Sequence, residues 1–245
     1  MKSLQDLLNI KHPIIMAPMF LVSNTKMVIE ACNNGIAGAI PALNFRTDEL
    51  FREAILEMKS KCNGPIGINL IVNKSNPKME KQLQTSVELG VDFILTSLGS
   101  PKQVIEACKL KGIKVLCDVI DLKFAKKVEA LGADAIIAVN NQAGGHKGNM
   151  DPKDLIPLLV KNCNIPVISA GGVGTKKELD YMLSLGASGV SVGSIFIASE
   201  ESPVSQNYKN ACVDFGSADI IGILQFLTNN GINSFGSIFP LCPPA

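Results

Sequence analysis

The side chains best placed for chemistry lie in one run, Asn141-Gln142-Ala143-Gly144-Gly145-His146-Lys147-Gly148, which directly follows the apolar stretch 135–139. His146 is one of only two histidines in the chain. Imidazole titrates near pH ~6.5 when unperturbed, so at neutral pH it can take a proton from a carbon acid or donate a hydrogen bond to an anion. The neighbouring glycines thin the backbone enough for a bulky flat ligand to lie beside it. The plain alternative is a structural histidine whose ring bonds a backbone carbonyl. His12 stands before Pro13, at the entry to the first apolar run, and is given no role.

Two more glycine runs are suited to an anion: Ser169-Ala170-Gly171-Gly172-Val173-Gly174 and Ser191-Val192-Gly193-Ser194. Without a Cβ the backbone N–H groups can approach phosphate oxygens, and helices beginning near Thr175 and after Gly193 would turn their positive ends to the same place. Taken singly, either run could be no more than a tight turn. A wider set of polar groups ends other apolar runs: Asn69, Thr96 with Ser97, Asp118, and Gln142. For these the alternatives are a turn residue at Asn69 and a helix cap at Asp118; Met19 could be a core residue.

Eight short apolar runs, at 13–17, 36–40, 65–70, 93–96, 114–117, 135–139, 166–170 and 189–192, must position these groups. Eight segments of helical periodicity alternate with them, the last at 204–215. Gly35, Gly90, Gly112, Gly132 and Gly186 sit where a left-handed C-cap belongs. Helix starts are marked by Asp151-Pro152, by Ser23-Asn24-Thr25 and by Asp121. Strands apolar on both faces and alternating with helices imply a parallel sheet covered by helices, and eight βα units close a (β/α)8 TIM barrel. The runner-up, an open doubly wound sheet, lacks its Gly-x-Gly-x-x-Gly in the first turn, Pro18-Met19-Phe20-Leu21-Val22. In such a barrel the mouth at the strand C-termini carries the chemistry, and the loops after strands seven and eight commonly hold phosphate.

Composition narrows the class. The chain has 245 residues, 47% hydrophobic and 18% charged, with a formal charge of +1, which argues against a nucleic-acid partner. Seven cysteines form no Cys-x-x-Cys pair; they are expected to be scattered buried thiols in a reducing compartment, with no metal site. The start lacks a signal-peptide core and no window reaches ~18 uninterrupted apolar residues, so a cytoplasmic protein without a membrane span is expected. Residues 220–245 carry no charge at all. They are expected to lie outside a barrel formed by residues 1–219, either as an apolar flap over it or as a poorly ordered end.

In order along the chain, Pro13-Ile14-Ile15-Met16-Ala17-Pro18-Met19, Gly67-Ile68-Asn69, Ala133-Asp134-Ala135-Ile136-Ile137-Ala138, Ala143-Gly144-Gly145-His146-Lys147-Gly148, Pro166-Val167-Ile168-Ser169-Ala170-Gly171-Gly172 and Gly189-Val190-Ser191-Val192-Gly193-Ser194 through Glu200-Glu201-Ser202 form one set. This ordered set resembles the nitronate monooxygenases, also called 2-nitropropane dioxygenases, which are FMN-bound TIM barrels. The resemblance implies that Ala17, Pro18 and Met19 lie against the isoalloxazine, that Asn69 and Gln142 bond its polar edge or ribityl chain, and that Ala143 and Gly144 pass beside it. Gly171, Gly172, Gly193 and Ser194 would hold the FMN phosphate, with Ser169 counted in the same loop, and His146 would be the catalytic histidine.

The implied reaction oxidises a nitronate or nitroalkane with FMN and molecular oxygen to a carbonyl compound and nitrite. The implied partners are that small substrate and oxygen, with a homodimer as the assembly to test. The chain departs from the family pattern at Met16, where glutamine is usual, at Asn140-Asn141-Gln142, where an acidic residue is common, and after Asp219. Competing readings are an NAD(P)H-dependent FMN reductase of the same barrel type acting on a quinone or enoyl-ACP, a flavin-free sugar-phosphate lyase or isomerase, and an inactive truncated relative.

Overall fold

A strand that is apolar on both faces must have both faces covered, and eight such strands satisfy this by closing on one another. The computed structural model describes residues 2–214. Its strands are β1 (Ile14–Met16), β2 (Ala37–Pro41), β3 (Ile66–Ile71), β4 (Phe93–Ser97), β5 (Lys114–Val119), β6 (Ala135–Val139), β7 (Val167–Ala170) and β8 (Gly189–Val192), paired in parallel in that order and closed by β1 against β8. This is the expected (β/α)8 TIM barrel. The helices are α1 (Leu4–Leu8), α2 (Thr25–Asn33), α3 (Asp48–Lys61), α4 (Met79–Glu88), α5 (Lys102–Lys109), α6 (Leu122–Leu131), α7 (Pro152–Asn162), α8 (Lys176–Ser184), α9 (Ser194–Ile197) and α10 (Gln206–Asp214).

The local signals act as their chemistry requires. Asn24, Asp121 and Asp151 cap α2, α6 and α7 through side-chain oxygens that accept from Met27, Phe124 and Lys153 amides, and Pro152 takes the first helical position. Gly132 ends α6 at φ 94°, a conformation that would strain a residue with a side chain. Two elements were not foreseen, α1 and a 3-10 turn at Ala42–Asn44, while the short α9 is the helix expected after Gly193.

Alternation along each strand divides the interior in two. Ile15, Ala37, Ala39, Phe93, Leu95, Leu116, Ala135, Ile137 and Ile168 fill the lumen, while Met16, Ile40, Ile68, Ile94, Cys117, Ile136 and Val167 pack outward with the helices. Phe93 takes the space left by Gly67: a Cβ there would strike its ring. At the N-terminal end α1 closes the lumen. Leu4 is fully buried, its amide donates to the Ser188 carbonyl at 3.0 Å, and it fills the space beside Gly189.

One expectation needs correction. Cys32, Cys108, Cys117 and Cys163 are buried and Cys62 half-buried, but Cys212 is exposed, because α10 buries none of its residues. The expectations for the last helix beyond Asp214, and for residues 220–245 as a flap or loose end, fall outside the described residues.

Candidate active site

The connections after β6, β7, β8 and β1 meet at the C-terminal end of the barrel, and a single residue organises the first two. Asn140 is fully buried at the end of β6. Its Oδ1 accepts from the Gln142 amide at 2.8 Å, its Nδ2 donates to the Gly171 carbonyl at 3.1 Å, and its own carbonyl accepts from the Ala143 and Gly148 amides at 3.3 and 3.2 Å. The loop is thus pinned at both ends. His146 stands exposed on its free part, and the imidazole bonds to no described residue.

Gly171 and Gly172 follow β7 at φ 109° and 76°. A Cβ on Gly171 would meet the Ala143 backbone and lie 2.5 Å from Asn140 Oδ1, and one on Gly172 would meet the Gln142 side chain. These glycines therefore serve close approach as well as conformation. The amides of Gly172, Val173 and Gly193 donate to no described residue. The loops after β7, β8 and β1 are contiguous as well: a Cβ on Gly174 would touch Ile195 at 3.4 Å, and one on Gly193 would lie 3.3 Å from Met19 Sδ and 3.7 Å from Ala17 Cβ. The β1 connection is held in turn by Asn44, which accepts from the Leu21 amide at 2.9 Å and donates to the Ser23 carbonyl at 2.8 Å.

The structure therefore brings Ala17, Met19, Gln142, Ala143, Gly171, Gly172 and Gly193 into one arc, with Pro18, Gly144 and Ser194 adjoining them in sequence. Phe20, Leu21, Leu98, Ile120 and Ile195 add exposed apolar side chains on the connections after β1, β4, β5 and β8. Such a rim, apolar with a few convergent polar groups, has the character of a small-molecule site.

Two placements differ from expectation. Ser169 does not join the arc: it is fully buried in register with Ala138 and Val190, which pack outward, and its Oγ has no partner. The N-terminus of α8 is also already occupied. Glu178 Oε2 accepts from the Gly174 and Thr175 amides at 2.8 Å each, completing a capping box with Thr175, and these bonds hold its carboxyl below the usual range. An anion here would have to rely on the loop amides before Gly174.

Across the mouth, Asn69, Ser97 and Asp118 stand inside β3, β4 and β5 rather than beyond their ends, and none of them caps a helix. β3 and β5 continue past Asn69 and Asp118 and β4 ends on Ser97, and the three polar side chains satisfy one another. Asn69 Nδ2 donates to Ser97 Oγ at 2.8 Å and to the Leu95 carbonyl at 3.3 Å, and Ser97 Oγ donates to Asp118 Oδ2 at 2.6 Å. Asp118 is reached by water through the open mouth, yet barrel wall surrounds it. That enclosure pushes its carboxyl up to about 6, opposed by the bond from Ser97.

At the opposite end a hollow of about 440 Å³ is lined by Lys2, Ser3, Gln5, Pro13 and Ser188 among others, with no histidine, cysteine or carboxylate. Among the described residues no group of three or more His, Cys, Asp or Glu could hold a metal, and no helix is long and apolar enough to cross a membrane.

A sequence model of the family described as nitronate monooxygenase matches residues 1–223. A probable nitronate monooxygenase of Staphylococcus saprophyticus is 30% identical over 260 residues, covering 88% of this chain and 73% of that protein. The (3aS,4S,5R,7aS)-5-hydroxy-7a-methyl-1-oxo-octahydro-1H-indene-4-carboxyl-CoA dehydrogenase of Rhodococcus jostii is 30% identical over 220 residues, covering 89% of this chain; the chain spans only 61% of that relative's length. Among solved structures, FabK from Thermotoga maritima superposes with a TM-score of 0.80 at 32% identity, over 86% of this chain and 67% of that one. By the match over nearly all of its barrel, the chain belongs to the nitronate monooxygenase family of enzymes.

Proposed function

We propose that this barrel binds FMN at the arc of loops after β6, β7, β8 and β1 and oxidises a nitronate or nitroalkane with molecular oxygen to a carbonyl compound and nitrite. One observation supports this most: the Gly172 and Val173 amides, without partners among the described residues, follow β7 against the loop that carries an unbonded, exposed His146, and the Gly193 amide, beside Met19 and Ala17, is likewise without one. Such amides fit a phosphate, and Gly171 and Gly172 let the loops after β6 and β7 close against one another, which a side chain would prevent. Gly171, Gly172, Gly193 and Ser194 would hold the phosphate, while Ala17, Pro18, Met19, Asn69, Gln142, Ala143 and Gly144 would border the ring system and its chain.

When bound, FMN supplies the electron-transfer chemistry that no side chain here can perform. The chain's own part is to hold the substrate carbon, exclude water with the apolar rim, and manage charge. His146 Nδ1 or Nε2 would accept the α-proton of a neutral nitroalkane, or donate to the oxygens of a nitronate already ionised. Residues 1–219 would suffice for the site, which is to operate in the cytoplasm.

His146→Ala should leave FMN bound and lower nitrite release by about 100-fold or more, the usual scale for an acid–base group. Unchanged turnover would contradict the assignment. Gly172→Asp, which sets a carboxylate against the phosphate, should purify without flavin; full occupancy would contradict the phosphate site. A second reading, a dehydrogenase chemistry at the same arc in place of nitronate oxidation, draws on the 30% identity to the Rhodococcus jostii dehydrogenase.

A further inference from the structure

The wall formed by β3, β4 and β5 can be described by counting its hydrogens. Asn69 has two amide hydrogens, and both are used, on Leu95 O and Ser97 Oγ. Turning the amide over would set its oxygen against the Leu95 carbonyl, so the network fixes the orientation. Ser97 has one hydroxyl hydrogen, and Asp118 takes it. With Asp118 ionised, every donor of the three side chains is used internally, and Asn69 Oδ1 and the Asp118 carboxylate are left to face a ligand. Adding one proton to Asp118 changes this. Either its own O–H points to the mouth, or it donates to Ser97 Oγ and frees the serine hydrogen.

We propose that Asn69, Ser97 and Asp118 form a proton-coupled contact face of the mouth, acceptor-only when Asp118 is ionised and carrying one donor when it is protonated. The first state suits a ligand edge with an N–H or O–H; the second suits groups that only accept, such as the oxygens of a nitronate. Asp118 thereby sets the polarity of this face, by its own carboxyl and through Ser97. The identity of the ligand rests on the proposed function, whereas the relay does not.

The surroundings leave Asp118 free to titrate alone. β4 presents Ser97 to it and β6 the apolar Ile137. The ionisable groups on adjoining connections are Lys74 and Lys78 after β3, Asp121 on its own connection, and His146, Lys147 and Asp151 after β6, none in hydrogen-bond contact with it. On its own strand the Cys117 thiol packs outward and is pushed up to about 12, first by burial and further by the Asp118 charge.

The test follows the Asn69 side-chain amide by ¹⁵N–¹H NMR from pH 4.5 to 8 in the wild type, Asp118→Asn and Ser97→Ala. The wild-type signals should move with a midpoint near pH 6 and stay flat in both variants. A flat wild type overturns the relay. So does a titration that survives in Asp118→Asn, because it would then belong to another group, or one that survives in Ser97→Ala, because it would then not pass through the serine. In parallel, the visible spectrum of protein-bound FMN should shift with the same midpoint in the wild type and not in Asp118→Asn. A protein that keeps the amide titration but takes up no flavin leaves the relay standing and refutes the flavin reading. A flavin spectrum indifferent to pH overturns the ligand contact.

Discussion

The two ends of this barrel are made by the same eight strands and behave as opposites. At the N-terminal end, Leu4, Leu8 and Ile10 are buried against Ile15, Ala37 and Ala135 in the lumen, and the chain is packed to the point that Gly67 and Gly189 have no room for a methyl group. At the C-terminal end the lumen turns polar at Asn69, Ser97 and Asp118, and the connections carry exposed glycines and a histidine bonded to no described residue. Stability and chemistry are thus assigned to different ends, so substitutions can separate them.

The largest contrast should come from glycine pairs. Gly67→Val places branched carbon inside the Phe93 ring and should abolish soluble folded protein, whereas Gly144→Ala meets nothing within 4 Å and should melt like the wild type. Thermal denaturation of the two decides whether the ends differ as described.

Next in size, Leu4→Ala removes a fully buried side chain from the N-terminal plug and should cost about 2–5 kcal/mol in denaturant unfolding while the mouth keeps its ligand. Thr175→Ala acts at the other end. It removes the cap of α8 and should cost only about 1 kcal/mol in the same measurement.

The smallest effect is one of pH. Enclosure by the barrel wall raises the Asp118 carboxyl to about 6, above its ordinary 3.8, so the folded state holds this proton more tightly than the unfolded state. The associated stabilisation is complete below pH ~4 and is lost as pH rises through about 6. Asp118→Asn should therefore melt no lower than the wild type at pH 7.5, with any advantage disappearing in acid. A variant less stable at pH 7.5 than at pH 4.5, relative to wild type, would contradict this.

The stabilising end was legible for a physical reason. Strands buried on both faces read as short apolar runs, and Leu131-Gly132-Ala133-Asp134 shows how the preceding helix, its cap and the next strand follow in a fixed order. The plug α1 escaped because five residues with apolar anchors at Leu4 and Leu8 are too short for a period to show. At the mouth, the loops of β6, β7 and β8 were legible from their glycines. The outward set of Ser169 was not, since a four-residue strand buried on both faces does not reveal the phase of its alternation. The Asn69–Ser97–Asp118 chain joins residues 28 and 21 positions apart, so only closure of the barrel brings them together. Asn140 and Asn44 were missed as organisers because an asparagine that ties two loops carries no mark in sequence that distinguishes it from a turn residue.

We propose a flavin site for nitronates at the C-terminal end of the barrel. The most direct measurement is the visible absorption spectrum of the purified protein, followed anaerobically after adding a nitronate and, separately, NADH. The expected result is a flavin spectrum that is bleached by the nitronate and left unchanged by NADH. A colourless protein that takes up no FMN, or a flavin bleached by NADH alone, would contradict it.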